Sequence, residues 1–278
     1  MLSSKEVSAR RHTFRQLHHS GCFVIPNPWD VGSARYLQGL GFKALATTSA
    51  GAAWRHGKAD GKMTLNETLG HLREMVAATE LPVNADFENG FSPDAEGVAR
   101  NVRLAVETGV AGLSIEDSTG DASKPLFDHA TAVQRICAAR SAIDDAGGET
   151  LLVARAENFF VGQPDLDDAV RRLQAYAEAG ADCLYAPGIK TREQIAAVVA
   201  AVAPKPVNLL IGFATDLTLA DIEALGVRRV SVGGALARTA WGGFIRAAEM
   251  IAREGSFDGF AGGAAGSDLN AFFRGGAS

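Results

Sequence analysis

The sequence contains little cysteine and no long apolar run. Its three cysteines, Cys22, Cys137 and Cys183, are odd in number and far apart, which argues against a disulfide framework and favours reduced core thiols. No apolar run reaches the roughly 18 residues that a membrane-spanning helix requires, and the first residues lack the apolar region of a signal peptide. We therefore expect a cytoplasmic protein that has no membrane partner.

Positive charge is also scarce in this chain. Lys and Arg number 27 against 32 Asp and Glu, so the formal net charge is -5, and aromatic residues make up only 7%. Neither a basic stripe nor aromatic residues interleaved with Lys or Arg are present, although a nucleic-acid surface normally has both. The sequence therefore indicates no nucleic-acid partner.

The pattern that is present is a regular series of strand-like and helix-like segments. Hydrophobic residues make up 47% of the 278 residues, enough to bury a large core. Eight strand-like runs alternate with amphipathic helical segments, and they cover residues 22–27, 44–49, 82–88, 112–117, 150–157, 183–188, 207–212 and 229–234. This repetition predicts an α/β protein, a (β/α)₈ TIM barrel, with one domain over residues 1–254 and a Gly- and Ala-rich tail over residues 255–278 that ends in a short helix.

Carboxylates stand at the ends of three predicted strands. In a barrel of this type the working groups lie at the carboxyl ends of the strands. Asp86 and Glu88 end the third strand, Glu116 ends the fourth and Glu157 ends the fifth, and oxygen ligands of this kind suit a hard divalent cation. If Asp86 and Glu88 both lie in the strand, they are two residues apart and face the same side. Arg155, at the end of the fifth strand, adds a planar donor fork suited to a carboxylate.

Simpler interpretations exist for some of these polar residues. A carboxylate at a strand end is often a helix cap or an ion-pair partner rather than a metal ligand. Asp117 and Glu157 are expected to support the site by pairing with Arg155 or Lys124 rather than to act directly. Cys22 and Cys183 are expected to fill the core.

Six motifs, in order along the chain, resemble those of the isocitrate lyase/phosphoenolpyruvate mutase superfamily. They are TTSAG at 47–51, NADFENGF at 84–91, GLSIED at 112–117, LLVARAE at 151–157, EAGADCLY at 178–185 and LGVRRVSVGG at 225–234. The resemblance extends roughly from Phe23 to Arg246, and the chain is similar to a phosphonomutase-like member. It implies a barrel of the phosphoenolpyruvate mutase type and a cytoplasmic homotetramer whose dimers exchange a C-terminal helix, with the segment from Trp241 to Arg253 packed on a neighbour.

The resemblance also implies a metal site and a substrate. The implied ion is Mg²⁺, with Mn²⁺ as an alternative. In enzymes of this superfamily the 2-oxo acid or enolate form of the substrate binds to that ion. By position, the implied residues are Asp86, Glu88 and Glu116 for the metal, Arg155 as a clamp on the substrate carboxylate, and Ser49, Ala50 and Gly51 as donors to substrate oxygens. Asp86 would also face the substrate. Asp60 is implied as an outer metal ligand or a catalytic group, and Asn208 as a substrate contact.

Departures from the superfamily pattern separate the possible activities. The lyases resemble one another in a Lys-Arg-Cys-Gly-His loop after the fourth strand, whereas this chain has residues 118–125 there without Cys or His. At the sixth strand, where lyases tend to have Glu and phosphonate enzymes His, this chain has Ala186-Pro187-Gly188. Lys124 would correspond to the loop lysine of the mutases. Glu88 is one methylene longer than the Asp that is more common at its position.

These features leave three functional hypotheses. The first is an Mg²⁺-dependent lyase that cleaves a carbon–carbon bond in a small 2-oxo or 2-hydroxy di- or tricarboxylate, by aldol-type lysis, oxaloacetate decarboxylation or hydrolysis. The second, which Asp60 and Lys124 would support, is a phosphonopyruvate-type mutase or hydrolase acting on a phosphorus–carbon bond. In either enzyme the expected catalytic residues are Asp60, Arg155 and Lys124. The third is a non-catalytic barrel that binds 2-oxo acids.

Overall fold

The protein forms a barrel of eight parallel strands surrounded by helices. The computed structural model describes residues 2–275. The strands are β1 (Phe23–Ile25), β2 (Leu45–Ala46), β3 (Val83–Asp86), β4 (Gly112–Glu116), β5 (Leu151–Arg155), β6 (Cys183–Tyr185), β7 (Val207–Leu210) and β8 (Arg229–Ser231). All strand pairs are parallel, and their order is β1-β8-β7-β6-β5-β4-β3-β2. The predicted (β/α)₈ TIM barrel is confirmed.

Helices separate the strands and continue beyond the last one. They are α1 (Ser4–Leu17), α2 (Val31–Gly39), α3 (Ser49–Arg55), α4 (Leu65–Ala78), α5 (Ala95–Glu107), α6 (His129–Asp145), α7 (Leu166–Glu178), α8 (Arg192–Val202), α9 (Leu219–Ala224), α10 (Ala235–Glu254) and α11 (Gly266–Phe273), with a 3₁₀ turn at Asp258–Gly262. Most begin at a Ser, Thr or Asp whose side chain accepts a hydrogen bond from the first turn, as Asp94 does for α5 and Thr191 for α8. No helix of residues 2–275 is long and apolar enough to cross a membrane.

The barrel closes between β1 and β2 through a narrow junction. The amide of Ala46 donates to the carbonyl of Pro26 at 3.0 Å. Just above, the Asn27 side chain donates to the carbonyl of Thr47 at 2.9 Å, and its oxygen accepts from the amides of Val232 and Gly233. One asparagine therefore joins the carboxyl ends of β1, β2 and β8.

The core has one layer between the barrel and its helices and a second layer inside the barrel. The inner layer includes Ile25, Ala46, Val153 and Cys183, and it packs on the fully buried Phe14 of α1. Helix α1 is held there by Arg11, which donates to the carbonyls of Val106 and Val110 just before β4. Helix α1 thus covers the amino-terminal end of the barrel, and the opposite end stays open.

The third strand is shorter than the sequence suggests. Strand β3 ends at Asp86, and Glu88 has a left-handed backbone with φ of 46°, followed by further left-handed residues at Gly90 and Phe91. The prediction that Asp86 and Glu88 lie on one extended strand is therefore wrong. A tight turn, rather than strand alternation, determines the direction of the Glu88 side chain.

The C-terminal segment packs partly on the barrel and leaves a large apolar surface. Phe272 of α11 stacks near Tyr36 of α2, with ring centroids 4.9 Å apart, so the predicted short helix in the tail is confirmed. Residues 276–278 of that tail, and residue 1 of the predicted domain, lie outside the described residues. In α10 only Ala237 is buried, and exchange of this helix between subunits stays a prediction.

Cys137 is exposed, so its expected place in the core is wrong.

Candidate active site

A cavity of about 260 Å³ opens at the carboxyl ends of the strands. Its lining comprises the polar residues Asn27, Thr47, Thr48, Ser49, Asp60, Asn84, Asp86, Ser114, Arg155, Tyr185, Arg229, Ser231 and Arg238, together with Ala46, Ala50, Trp54, Phe160, Leu210, Gly212, Phe213, Val232, Gly233 and Gly234. This volume is slightly below the range of about 300–1,000 Å³ that is typical of pockets for drug-sized ligands, so it suits a molecule of a few carbon atoms.

Arg155 at the end of β5 is surrounded by carboxylates. Its Nη1 lies 2.9 Å from Asp86 Oδ1, its Nη2 lies 3.3 Å from Glu116 Oε2, and its Nε lies 2.8 Å from Glu157 Oε1. Although burial opposes the charged form, these three carboxylates raise the pKa of Arg155 well above its usual range. Every side-chain nitrogen of Arg155 is thus paired with a carboxylate of the chain. Its role as a clamp on the substrate stays a prediction, and it requires that a substrate carboxylate replace one of these three partners.

Arg155 also belongs to a row of side chains in lateral register across five neighbouring strands. The paired residues run from Glu116 to Arg155, then to Tyr185, Asn208 and Arg229. We call these five residues the polar row. Strands β4 and β8 face each other across an eight-stranded barrel, so the polar row connects one wall to the opposite wall. The Arg155 guanidinium lies over the Tyr185 ring, 5.0 Å from its centroid.

The loop after β2 is bound to this cluster. The amide of Ser49 donates to Asp86 Oδ2 at 2.9 Å, and the amide of Gly51 faces Thr48 Oγ1 at 3.3 Å as part of the N-cap of α3. Ser49 and Ala50 line the cavity, whereas Gly51 is buried behind them. The amides of Ser49 and Gly51 therefore have acceptors within the chain, and donation by this loop to a substrate stays a prediction.

Burial and mutual repulsion affect the carboxylates near Asp86. Burial, and then the charges of Asp86 and Asp60, raise the pKa of Glu88 to about 7. Burial and Asp86 likewise raise the pKa of Asp60, and burial raises that of Glu116 well above its usual range although Arg155 opposes this shift. Arg155 is the only cation that forms ion pairs with this group among the described residues. In their ionised forms these carboxylates would carry more negative charge than Arg155 offsets.

The donor chemistry of this cluster fits a divalent cation. All the candidate ligands are oxygens, and the excess negative charge is of the kind that Mg²⁺ or Mn²⁺ relieves. Within residues 2–275, however, no three such side chains are arranged at ligating positions, because Arg155 holds Asp86 and Glu116. Asp86, Glu88 and Glu116 would hold the ion after a local change of side-chain positions.

The floor of the cavity contains residues whose importance the sequence analysis missed. Arg229 donates from Nε to Asn208 Oδ1 at 2.7 Å and from Nη1 to Asn84 Oδ1 at 3.4 Å. Asn208 is fully buried, donates to Ser231 Oγ at 2.9 Å and does not line the cavity. Its direct substrate contact therefore stays a prediction. Inward-facing polar residues at alternate positions of β8, Arg229 and Ser231, are the signal that could have revealed this floor.

Two other expected roles differ in the structure. Lys124 is exposed in the loop between β4 and α6, where its amide donates to the Asp121 carbonyl, and it does not line the cavity. Asp117 pairs with Arg172 at 3.1 Å and not with Arg155 or Lys124, and it accepts a 2.6 Å hydrogen bond from Tyr176. The expected pairing of Asp117 is therefore wrong, because its carboxylate points toward α7, below the cavity.

A parallel barrel with a cavity at the carboxyl ends of its strands, lined by Asp60, Asp86 and Arg155, is the architecture of a TIM-barrel enzyme. This chain belongs to the phosphoenolpyruvate phosphomutase family, whose sequence model matches residues 14–252. It is thus a member of the isocitrate lyase/phosphoenolpyruvate mutase superfamily, as the six motifs predicted, and this is a family of enzymes.

Curated relatives include a protein of unassigned activity and a decarboxylase. An uncharacterized protein of Mycobacterium tuberculosis is 34% identical over 223 residues, which cover 80% of this chain and 81% of the relative. An oxaloacetate decarboxylase of Bradyrhizobium is 32% identical over 232 residues, with 81% of this chain and 77% of the relative covered.

Solved structures agree with the fold over nearly the whole chain. A candidate lyase/mutase of Burkholderia cenocepacia is 47% identical with a TM-score of 0.94 and 99% of both chains covered. A 2,3-dimethylmalate lyase is 28% identical with a TM-score of 0.83, covering 98% of this chain and 95% of its own. An oxaloacetate acetylhydrolase bound to oxalate is 26% identical with a TM-score of 0.84, covering 95% and 94%.

Proposed function

We propose that this protein is a divalent-metal-dependent lyase that cleaves a carbon–carbon bond next to the carbonyl or hydroxyl carbon of a small dicarboxylate. Oxaloacetate is the first substrate to test. The observation that carries this proposal is the group of carboxylates around Arg155, at the edge of a cavity that suits only a small ligand. Mg²⁺ is the expected ion, with Mn²⁺ as a substitute.

Each part of the cluster has a defined task in this proposal. Asp86, Glu88 and Glu116 would hold the ion, which when bound would polarise the substrate carbonyl and stabilise the negative charge that develops there. Arg155 holds the side chains of Asp86 and Glu116 in position, and one of its donors would turn to the substrate carboxylate.

Two groups are available for proton transfer at the cavity. Asp60 lines it at the exposed rim, and partial desolvation together with the charge of Asp86 raises its pKa, which favours a role as a proton acceptor or donor. Burial raises the pKa of Tyr185 to about 12 although Arg155 opposes this shift, so its hydroxyl stays protonated and can only donate near neutral pH. Such groups would replace the loop cysteine that this chain lacks.

The activities for which the relatives are named support this substrate class. The Bradyrhizobium relative is an oxaloacetate decarboxylase, and two structural neighbours are an oxaloacetate acetylhydrolase and a 2,3-dimethylmalate lyase. These proteins differ in the bond that they break, but each name refers to a small dicarboxylate. The position of Lys124 outside the cavity argues against the phosphonopyruvate alternative, for which that residue would have been a supporting part.

The proposal can be tested by proton NMR with oxaloacetate and 2,3-dimethylmalate in the presence of Mg²⁺ and again with EDTA. Divalent ions alone can promote oxaloacetate decarboxylation, so the control is the Glu116→Gln variant at the same metal concentration. Pyruvate as product identifies a decarboxylase, oxalate with acetate identifies a hydrolase, and 2-oxo acid release from dimethylmalate identifies a lyase.

Three outcomes would contradict the proposal or part of it. Turnover of phosphonopyruvate, followed by phosphorus NMR, without turnover of the carbon substrates would favour the phosphorus–carbon alternative. Metal-dependent binding of oxalate without turnover of any of these compounds would instead favour the non-catalytic barrel. Turnover that EDTA leaves unchanged would remove the metal from the proposal.

A further inference from the structure

Arg229 is a buried cation without a carboxylate partner. Arg229 is only 2% exposed. It donates hydrogen bonds to Asn208 Oδ1 and Asn84 Oδ1, which are neutral amide oxygens. Among the described residues no Asp or Glu lies within 4.0 Å of it, whereas the buried Arg155 and Arg172 each pair with two or more carboxylates. A buried charge without a counter-ion is costly, so this position is suited to an anion from outside the chain.

The geometry limits the direction from which such an anion can arrive. Helix α1 covers the amino-terminal end of the barrel with Phe14, which is fully buried. On the other side, Arg229 lines the same cavity that contains Asp86 and Arg155. An anion can therefore reach Arg229 only through the open end of the barrel, as part of the ligand that fills this cavity.

The polar row relates this cation to the proposed reaction site. Glu116 begins the row on β4, and Arg229 ends it on β8, the opposite wall. The Arg229 side chain crosses the floor of the barrel to Asn84 of β3, two residues before Asp86. A small ligand that places its reacting end at the carboxylates of β3 and β4 therefore extends toward this floor with its other end. Because the nitrogen Nη2 of Arg229 donates to no acceptor among the described residues, one donor remains for that end.

We propose that Arg229 binds the distal carboxylate of the substrate and so makes the site specific for dicarboxylates over monocarboxylates. This inference rests on the proposed function, because it takes the ligand to be a small 2-oxo or 2-hydroxy acid. Asn208 and Asn84 are positioning residues that fix the guanidinium through their oxygens without neutralising its charge. An Asp at either position would supply the counter-ion internally and compete with the ligand.

Arg238 is the rival cation for this role, since it also lines the cavity without an ion pair in the described chain. However, it lies at the exposed mouth, where its guanidinium stacks on Phe213 at 4.5 Å from the ring centroid and donates to the Gly212 carbonyl. Solvent screens a charge at that position. The desolvated charge of Arg229 interacts more strongly with a carboxylate.

The test is calorimetric binding with two matched ligand pairs in the presence of Mg²⁺. Malate and 2-hydroxybutyrate share four carbons, 2-oxoglutarate and 2-oxovalerate share five, and within each pair only the distal carboxylate differs. For the wild-type protein we expect at least about tenfold tighter binding of the dicarboxylate in one pair. In Arg229→Met that preference falls to about one, and in Arg229→Lys it is intermediate because one charge remains without the fork.

A second variant covers the case in which Arg229→Met fails to fold. Asn208→Asp keeps the shape of the side chain and places a carboxylate on Arg229 Nε, so we expect the same loss of dicarboxylate preference with the guanidinium still present. An unchanged preference in this variant and in Arg229→Lys would overturn the inference, as would a loss that occurs in Arg238→Met but not in the Arg229 variants.

Binding and turnover separate this inference from the proposed function. A wild-type protein that prefers dicarboxylates through Arg229 but cleaves none of the carbon substrates contradicts the proposed function and supports the assignment of Arg229. A protein that cleaves oxaloacetate and keeps its preference in Arg229→Met contradicts only the assignment of Arg229.

Discussion

Asp86 lies 2.9 Å from Arg155, and this ion pair connects the end of β3 to the end of β5 across the intervening β4. The other oxygen of Asp86 accepts from the amide of Ser49, so β2 is tied to the same carboxylate. The Asp86 side chain thus connects the carboxyl ends of β2, β3 and β5. Arg155 also pairs with Glu116 and Glu157, so a substitution of Arg155 would affect all three carboxylates.

Replacement of Glu116 by Gln should weaken metal binding without unfolding the protein. The substitution keeps the shape but removes a charged ligand, and we expect Mn²⁺ affinity to fall at least about tenfold, since loss of outer partners alone has effects of this order. Electron paramagnetic resonance of free Mn²⁺ measures this change. The control is Glu96→Gln, an exposed residue paired with Arg100 on α5. Equal affinities in both variants would remove Glu116 from the metal site.

Replacement of Arg155 by Lys should weaken both the carboxylate cluster and ligand binding. A lysine is a point donor and cannot reach carboxylates on β3, β4 and the segment after β5 at once. Loss of the charge in Arg155→Met should lower the free energy of unfolding by about 3–5 kcal/mol, with a smaller loss in Arg155→Lys. Denaturant unfolding and oxalate titration measure the two effects. Arg103→Lys, in an exposed pair with Asp145, is the control and should change neither.

The sequence was sufficient to predict the barrel but only part of its site. Strand positions followed from apolar runs and glycine-ended helices, and all eight runs contain an observed strand. Glu88 was misplaced because a left-handed turn, which alternation does not reveal, begins after Asp86. Tyr185 and Arg229 were missed because they lie within their strands rather than beyond them, and their meaning depends on the register between strands that are far apart in sequence.

Acidification should destabilise the protein through His18. Burial lowers the pKa of His18 to about 3, with a further contribution from Arg229, while the unfolded chain takes up the proton near its ordinary value of about 6.5. Between these two values the unfolded state binds more protons, so stability falls as pH decreases through this range. From pH 7 to pH 5 the loss attributable to His18 is about 2 kcal/mol.

Denaturant unfolding of His18→Gln at several pH values tests this assignment. The variant lacks this buried imidazole, so its stability should depend less steeply on pH, and the dependence that remains includes that of His71, whose pKa burial lowers to about 4. The exposed neighbour His19 provides the matched control, and His19→Gln should keep the wild-type slope. A slope that is the same in all three proteins contradicts the assignment.

Replacement of Tyr176 by Phe should destabilise the support beneath the site. The Tyr176 hydroxyl donates to Asp117 Oδ2 at 2.6 Å in a buried position, and Asp117 in turn accepts from the amide of Glu157. Removal of a buried hydrogen bond to a charged group should lower the free energy of unfolding by about 1.5–3 kcal/mol. Tyr36→Phe, on an exposed tyrosine of α2, should have little effect by comparison in the same thermal unfolding measurement.

The exposed apolar face of α10 should mediate assembly into the expected homotetramer. Trp241, Phe244 and Ile245 are 38%, 62% and 46% exposed, and the Trp241 and Phe244 rings contact each other with centroids 5.4 Å apart. A contiguous exposed apolar surface of this kind is typical of a protein–protein contact.

Light scattering should therefore give a mass near four times 29.1 kDa for the wild-type protein. Phe244→Asp should reduce that mass, because a buried unpaired charge opposes the contact. Leu40→Asp, at a residue that is 57% exposed away from α10, should leave it unchanged. A wild-type monomer at micromolar concentration would show that this face has another role, and a tetramer in both variants would place the contact elsewhere on the barrel.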